Sequence, residues 1–334
     1  MTRILSGIRA TGKLHFGSLI GAVQNFVDYQ QKTATECFYF VADYHSLTTL
    51  DNPEELRSNL IEIVKDYLAA GLDPERSVLY AQSSVPQIAE LSLLLGMTQP
   101  LGDLQRVPTY KDLVRKNPDR VTLGLITYPV LMAADILAVQ ANIVPVGADQ
   151  VPNVEMARAL AERFNNRYGL TFAVPNMMED MVKVPGLDGG KMGKSEAEMA
   201  IGITMSHAEI LDRYMKHGKT DPDRTSIRVP GNPDVCKSVY PMHKIVTPDE
   251  VQTQTIANQC RNATIGCVAC KEIMVENLFH ILGPFQERRT EFTDKDKQIR
   301  EILADGGERA RAVIAPTVEQ VADRMGITRF NSNP

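Results

Sequence analysis

Residues 3–29, RILSGIRATGKLHFGSLIGAVQNFVDY, decide the fold. Arg3 to Ile8 reads as a short buried strand, and Gly17 to Tyr29 as a helix with Leu19, Ile20, Val23, Phe26 and Val27 on one face. The unit is strand, glycine-bearing loop, helix, and the pattern continues. Cys37 to Ala42 is a second buried strand, ending in Asp43-Tyr44-His45, where polar groups emerge at a carboxyl edge. The next helix has strong end signals: Asn52 to cap it, Pro53 at its first position, Glu54 and Glu55 against its dipole, and Gly71 to stop it. Ser77 to Gln82 and Ile143 to Val146 add two strands, with helical patterns between them. This alternation predicts an α/β domain over residues 1–200, built on a doubly wound parallel sheet. From Ser206 onward the strand signals fade, and Ser206 with Glu209 and Thr247 with Glu250 give two capping-box helix starts. Residues 201–334 therefore read as a helical domain, with 320–334 able to pack back on the first.

The 334 residues, 43% hydrophobic and 23% charged, can bury a full core. No apolar run approaches the roughly 18 residues needed to cross a bilayer, and the N-terminus enters a strand directly, so a cytoplasmic address without membrane is expected. A net charge of −5 argues against coating nucleic acid by bulk attraction, but leaves room for a local basic patch on a specific RNA. Tryptophan is absent from the chain.

Gly7 to Lys13 has the glycine spacing and lysine of a Walker loop, but Leu14 stands where such a loop needs a hydroxyl to hold magnesium. His15-Phe16-Gly17-Ser18 opens the first helix, where an imidazole and free backbone N–H groups can face phosphates; a histidine there also suits simple capping. Lys191-Met192-Gly193-Lys194-Ser195 follows a glycine-rich loop and sets two ammonium groups three positions apart on a segment able to close over a ligand. Charge building on a departing pyrophosphate is what such lysines stabilise.

The two segments together resemble the HIGH and KMSKS signatures of class I aminoacyl-tRNA synthetases, in the same order. Ser18 replaces the final histidine of the first, and Gly193 the central serine of the second. The resemblance implies a Rossmann-like catalytic domain and a helical anticodon-binding domain. It also implies a reaction in which an amino acid is activated by magnesium-bound ATP and passed to transfer RNA. His15, Lys191 and Lys194 become the catalytic candidates.

Tyr128 to Leu137 is an apolar helix-like run holding one carboxylate, Asp135, whose burial is costly unless paired. Asp135 and Met132 share a helical face, and an indole offers a flat apolar body with one N–H donor to match them. The run resembles the substrate helix of tryptophanyl-tRNA synthetases. Carried over from that family, Leu5, His45, Met132, Asp135, Val144 and Val146 would surround the indole, with Tyr128 and Gln150 near its amino group. Arg9, Ala10, Thr11, Gly17, Ser18, Gly147, Ala148, Asp149, Val184, Lys191, Met192, Gly193, Lys194 and Ser195 would line the ATP. Arg9 and Ala148 depart from the family's usual glutamine and glutamate. A tyrosyl enzyme is the nearest competitor, though many of those carry glutamine where Met132 stands. A tryptophan-binding paralogue that no longer charges RNA is the alternative raised by Ser18, Gly193, Ala148 and Arg9.

Cys236, Cys260, Cys267 and Cys270 cluster near the C-terminus, the last two as Cys-x-x-Cys. Four thiolates satisfy either tetrahedral zinc or an iron-sulfur cluster. With Pro230-Gly231-Asn232-Pro233 before it, the segment resembles the insertion of tryptophan enzymes that carry a four-iron, four-sulfur (4Fe-4S) cluster in the anticodon-facing domain. The family also implies a homodimer bound by tRNA(Trp). Arg106, Lys111, Arg115, Lys116, Arg288 and Arg289 are basic groups that could meet RNA phosphates, or simply solvate helix faces.

Overall fold

The computed structural model describes residues 1–116, 118, 121–178, 182–193 and 198–328, with Thr109, Asp112, Leu113, Lys116 and Ala148 described through their backbone only. A five-stranded sheet with strand order β3-β2-β1-β4-β5 forms its centre. The strands are β1 (Thr2–Arg9), β2 (Thr35–Ala42), β3 (Ser77–Ala81), β4 (Ile143–Pro145) and β5 (Asn176–Met178). Every pairing is parallel, so the order reverses between β1 and β4, as in a doubly wound Rossmann-like sheet. Its two faces meet two different cores. Along β2, Cys37, Tyr39 and Val41 enter one apolar cluster, while Phe38, Phe40 and Ala42 enter the other. Such a strand reads as one continuous apolar run because both faces are covered.

The helices run α1 (Phe16–Ser18), α2 (Gln24–Gln30), α3 (Asp43–Ser46), α4 (Pro53–Ala70), α5 (Gln87–Gly96), α6 (Leu101–Arg106) and α7 (Pro108–Lys116). They continue with α8 (Leu123–Ala138), α9 (Val151–Tyr168), α10 (His207–His217), α11 (Val239–Val246), α12 (Glu250–Arg261), α13 (Cys267–Thr290) and α14 (Asp296–Arg324). The expected caps of α4 are present: Asn52 accepts from Glu54 and Glu55, and Gly71 takes the left-handed conformation at φ 106°. The Ser206/Glu209 capping box opens α10.

Three expectations change. The helix read over Gly17 to Tyr29 contains a π-helical turn, Leu19–Val23, between α1 and α2. A side chain at Gly21 within it would meet the Val182 carbonyl oxygen at 2.8 Å, so a close backbone approach accompanies the widened turn. Thr247 and Glu250 do not form a capping box, because the Thr247 hydroxyl is occupied by His243 and Asn277. Asp249 caps α12 instead, accepting from the Gln252 N–H at 2.6 Å. The edge strand β5, three residues long, carries too short a pattern to be read from sequence.

The C-terminal helices close onto the sheet domain at two places. Helix α14 lies against β3 and α5, where Gly306 lets it approach so closely that a Cβ would stand 1.8 Å from the Leu79 carbonyl oxygen. Its residues Ala310, Ile314, Val318, Val321 and Ala322 complete the second core, so the return of the chain begins well before residue 320. Beneath it, α13 is clamped to α4: Arg289 pairs with both Asp66 and Glu62, and Arg288 Nε donates to the Ala69 carbonyl at 2.7 Å. Arg289 therefore holds helices together, whereas Arg288 anchors through Nε and stays exposed. Arg106 stays exposed, paired with Asp103 on its own helix.

Candidate active site

The carboxyl ends of β1, β2, β3 and β4 deliver polar residues to one side of the sheet, at the crossover where the order reverses. The segment after β1 is held by α3 and α4, since the Ala10 N–H donates to Ser46 Oγ at 2.7 Å and the Ala10 carbonyl accepts from Asn59. Arg9 extends outward to Thr48 Oγ1 at 3.5 Å. Thr11 is half-buried beside Gly12, which turns the chain at φ 95°.

The two signature segments meet, although 175 positions separate Gly17 from Met192. The Gly17 N–H donates to Met192 Sδ at 3.3 Å, and a side chain at Gly17 would stand 3.0 Å from His15 Nδ1 and 3.1 Å from Met192 Cβ. His15 does cap its helix: Nδ1 accepts from the Ser18 N–H at 3.1 Å, while the Ser18 hydroxyl lies 3.1 Å from Nε2. Capping and a phosphate-facing role are therefore compatible, because the cap fixes the ring where the helix N-terminus opens. On the other segment, Met192 N–H bonds the Val184 carbonyl and Gly186 N–H bonds the Gly190 carbonyl, making a tight hairpin. Val184 and Met192 are buried in the first core, so this hairpin is anchored by its apolar side chains. Lys194 and Ser195 lie outside the described residues; Gly193 is half-buried.

Lys191 is exposed and pairs with Asp149. Burial alone would raise the Asp149 carboxyl, but the Lys191 ammonium and the Gln150 amide hold it below the usual carboxylate range. Asp149 and Gln150 lie in the turn after β4, preceded by Gly147. The side chain of Ala148 lies outside the described structure.

Leu5, Val144 and Val146 are buried in the second core, with Met132 packed against it. Asp135, on the same helix as Met132, is 1% exposed. Burial pushes its carboxyl upward, opposed by hydrogen bonds from His45 and Gln82. His45 Nε2 is 2.9 Å from Oδ2, and Gln82 Nε2 donates to Oδ1 at 2.8 Å and Oδ2 at 3.0 Å. Tyr128 meets the His45 ring edge to face, and its hydroxyl joins Asn153, which donates to Gln150 Oε1 at 2.9 Å. A chain of contacts thus runs from Asp135 through His45, by a ring contact to Tyr128, and then by hydrogen bonds through Asn153 and Gln150 to the Asp149–Lys191 pair.

Gln82 and Asn153, both fully buried, were missed in the sequence. Gln82 had a signal: it is the polar residue at the carboxyl end of an apolar strand, as Asp43 is on β2. Asn153 had none, since an Asn one turn into a helix is ordinary.

Cys236, Cys260, Cys267 and Cys270 line one narrow cavity between the turn before α11, the end of α12 and the start of α13. Cys267 and Cys270 fall one helical turn apart on α13, which explains why the x-x spacing brings both to the cavity. The sulfurs face hydrogen-bond donors: Tyr240 N–H to Cys236 at 3.3 Å, and Arg224 Nη1 to Cys260 at 3.5 Å. Burial raises the Cys236 and Cys260 thiols and pushes Cys270 up to about 12. Among the described residues no group of three His, Cys, Asp or Glu side chains forms a metal-ion site as it stands. No helix among them is long and apolar enough to cross a membrane.

Residues 1–283 match the family model described as tRNA synthetases class I (W and Y). The chain is 40% identical to the tryptophan–tRNA ligase of Thermotoga maritima over 97% of its own length and 99% of the relative's. It is 39% identical to the tryptophan–tRNA ligase of Porphyromonas gingivalis, covering 98% and 99%. Among solved structures, the tryptophanyl-tRNA synthetase of Campylobacter jejuni, complexed with ADP and tryptophan, superposes with a TM-score of 0.84 at 32% identity, over 97% of this chain and all of that one. The convergence of His15 and Gly17 with Met192 at the crossover of a doubly wound sheet is thus accompanied by relatedness along the whole length, and the chain belongs to the class I tRNA synthetases of the tryptophan and tyrosine family.

Proposed function

We propose that this protein is a tryptophan–tRNA ligase, which activates L-tryptophan with ATP to tryptophanyl-adenylate and transfers it to tRNA(Trp), releasing pyrophosphate and AMP. The observation that carries the reading is Asp135: a buried carboxylate with acceptor capacity, on the same helix as Met132, where the family resemblance sets it with Leu5, Val144 and Val146 around an indole. An indole supplies what such a site accepts, apolar faces and a single N–H donor. A phenol would need a second polar partner, and Met132 supplies none.

The amino-acid carboxylate attacks the α-phosphorus of ATP, and the bond to pyrophosphate breaks. The adenylate then passes its acyl group to the terminal ribose of the RNA. No side chain has to form a covalent bond, so catalysis is orientation plus charge stabilisation. The helix opening at Phe16 points N–H groups at the phosphates, with His15 beside them. Lys191, and Lys194 by its place in the signature, supply positive charge to the departing pyrophosphate. Arg9, Ala10, Thr11, Gly17, Ser18, Gly147, Ala148, Asp149 and the 184–195 hairpin form the nucleotide side. Tyr128 and Gln150 hold the amino group. Magnesium accompanies the ATP.

Residues 1–200 form the catalytic unit of this reading and 201–334 the anticodon-facing unit, with α14 tying the two. Cys236, Cys260, Cys267 and Cys270 fit a 4Fe-4S cluster, with zinc as the alternative. Four sulfurs line one cavity, and N–H donors already aim at two of them, as bound thiolates require. A bound metal lowers thiol pKa values outright, reversing the effect of burial, and holds α12 and α13 in place. The role is structural. A second copy of the chain is the partner that suits exposed apolar side chains such as Leu93, Met97, Leu101 and Leu123, on or next to α5, α6 and α8. The cytoplasm is the site of action.

Aminoacylation tests the whole reading: with ATP and labelled tryptophan, the protein should acylate tRNA(Trp) transcripts. Acylation by tyrosine, or none by tryptophan, contradicts it.

A further inference from the structure

We infer that Gln82 is the positioning residue that orients Asp135 for the indole N–H, and that through it β3 sets the substrate preference. The inference rests on the tryptophan reading above. Gln82 is fully buried at the end of β3, in a 3-10 turn that no signature segment includes. Its Oε1 accepts from two backbone N–H groups, Tyr44 at 3.1 Å and His45 at 3.4 Å. These two donors fix which way the amide faces, since the flipped amide would point its own N–H groups at them. The Nε2 atom must therefore face Asp135, where it reaches both oxygens.

The consequence for Asp135 follows from counting. A carboxylate offers about four lone-pair sites. Gln82 occupies one on each oxygen, and His45 a second on Oδ2. The vacancy left is on Oδ1, so the carboxylate presents one acceptor in one direction. That matches an indole N–H, a donor with no acceptor of its own. A phenol hydroxyl brings both, and the nearby donors of Gln82 and His45 are already committed to Asp135. The turn itself is pinned: Ser83 N–H donates to Asp43 Oδ1 at 2.9 Å, its hydroxyl bonds Oδ2, and Asp43 and His45 share the short helix α3. One rigid corner between β2 and β3 thus presets Asp135 before substrate arrives.

The test compares tryptophan with its analogue in which sulfur replaces the indole N–H, in wild type, Gln82→Met and Gln82→Glu, by substrate-dependent pyrophosphate exchange. Wild type should prefer tryptophan by about tenfold or more, the worth of one hydrogen bond to a charged group. In Gln82→Met, the KM for tryptophan should rise about tenfold with kcat within about threefold, and preference over the analogue should largely vanish. Gln82→Glu keeps the acceptor for the two backbone N–H groups but sets a second buried carboxyl against Asp135, so the two share a proton and Asp135 is no longer a fixed lone acceptor; it should lose preference in the same way. Equal preference in wild type and in a folded variant overturns the role of Gln82. A wild type inactive with tryptophan would instead overturn the functional reading, and the two failures are distinct.

Discussion

Gly17 shows how little room the site has. A Cβ there would press on both His15 and Met192, the contact through which the signature segments meet. Gly17→Val should therefore part the two segments, and displacement of reacting groups by about 1 Å can cost about 10²-fold in rate. We expect adenylate formation to fall by about that much, while thermal melting shifts little; an unchanged rate would mean the contact is incidental. Lys194→Ala should likewise lower adenylate formation by about 10²-fold, as removal of one preorganised charge contact does. Single-turnover formation of the adenylate measures both. Residues of this kind were legible because the reaction demands particular chemistry at particular spacing: a histidine at a helix start, lysines after a glycine-rich loop, one carboxylate in an apolar helix. Gln82 and Asn153 escaped because they serve other side chains, and that service exists only once β3, α8 and α9 are assembled.

Helix packing concentrates its cost at two joints. At the first, Gly306 lies against the backbone of β3, where neither neighbour can retreat. Gly306→Val should destabilise by about 3 kcal/mol or more, the upper range for forced overpacking, read as a lower urea midpoint. At the second, Arg289 neutralises Asp66, which is 3% exposed, and Glu62. Arg289→Met removes the ion pairs that this arginine makes with buried Asp66 and with Glu62, and should cost about 3 kcal/mol. The same joint carries a pH dependence. Burial would raise Glu62, but Lys65 and Arg289 hold it below its ordinary 4.5. Its contribution is therefore complete above pH about 4.5 and is lost as pH falls through the lowered folded value. Wild type should show a steeper acid loss of stability as pH falls below about 4.5 than Arg289→Met; identical acid limbs would contradict the assignment. Strands and capped helices were readable because their signals are local. The π-helical turn and the seating of α14 were not, because each involves a partner distant in sequence; the cap of α12 is local, at Asp249, but Thr247 offered a competing one.

In the proposed reading, the assembled protein joins a crossover for nucleotide, a side-chain site around Asp135 and a helical end facing RNA. Two of its properties are open to direct measurement. The particle mass in solution should be twice the 37.0 kDa of one chain, and Leu123→Glu should shift it toward the monomer; a monomeric wild type would remove that face from the account. Anaerobic purification should give a brown protein with about four irons and four sulfides per chain, as a 4Fe-4S cluster requires, whereas stoichiometric zinc without iron would assign the cysteines to the alternative. The central claim is that Asp135, with the converged His15 and Lys191 segments, makes this a tryptophan-activating site. Exchange of labelled pyrophosphate into ATP, with tryptophan and tyrosine compared side by side, tests it most directly. The account predicts exchange that depends on tryptophan and falls at least about 10³-fold with tyrosine, as expected where a buried polar group rejects the wrong partner. Exchange supported equally by tyrosine, or absent with tryptophan, would contradict it.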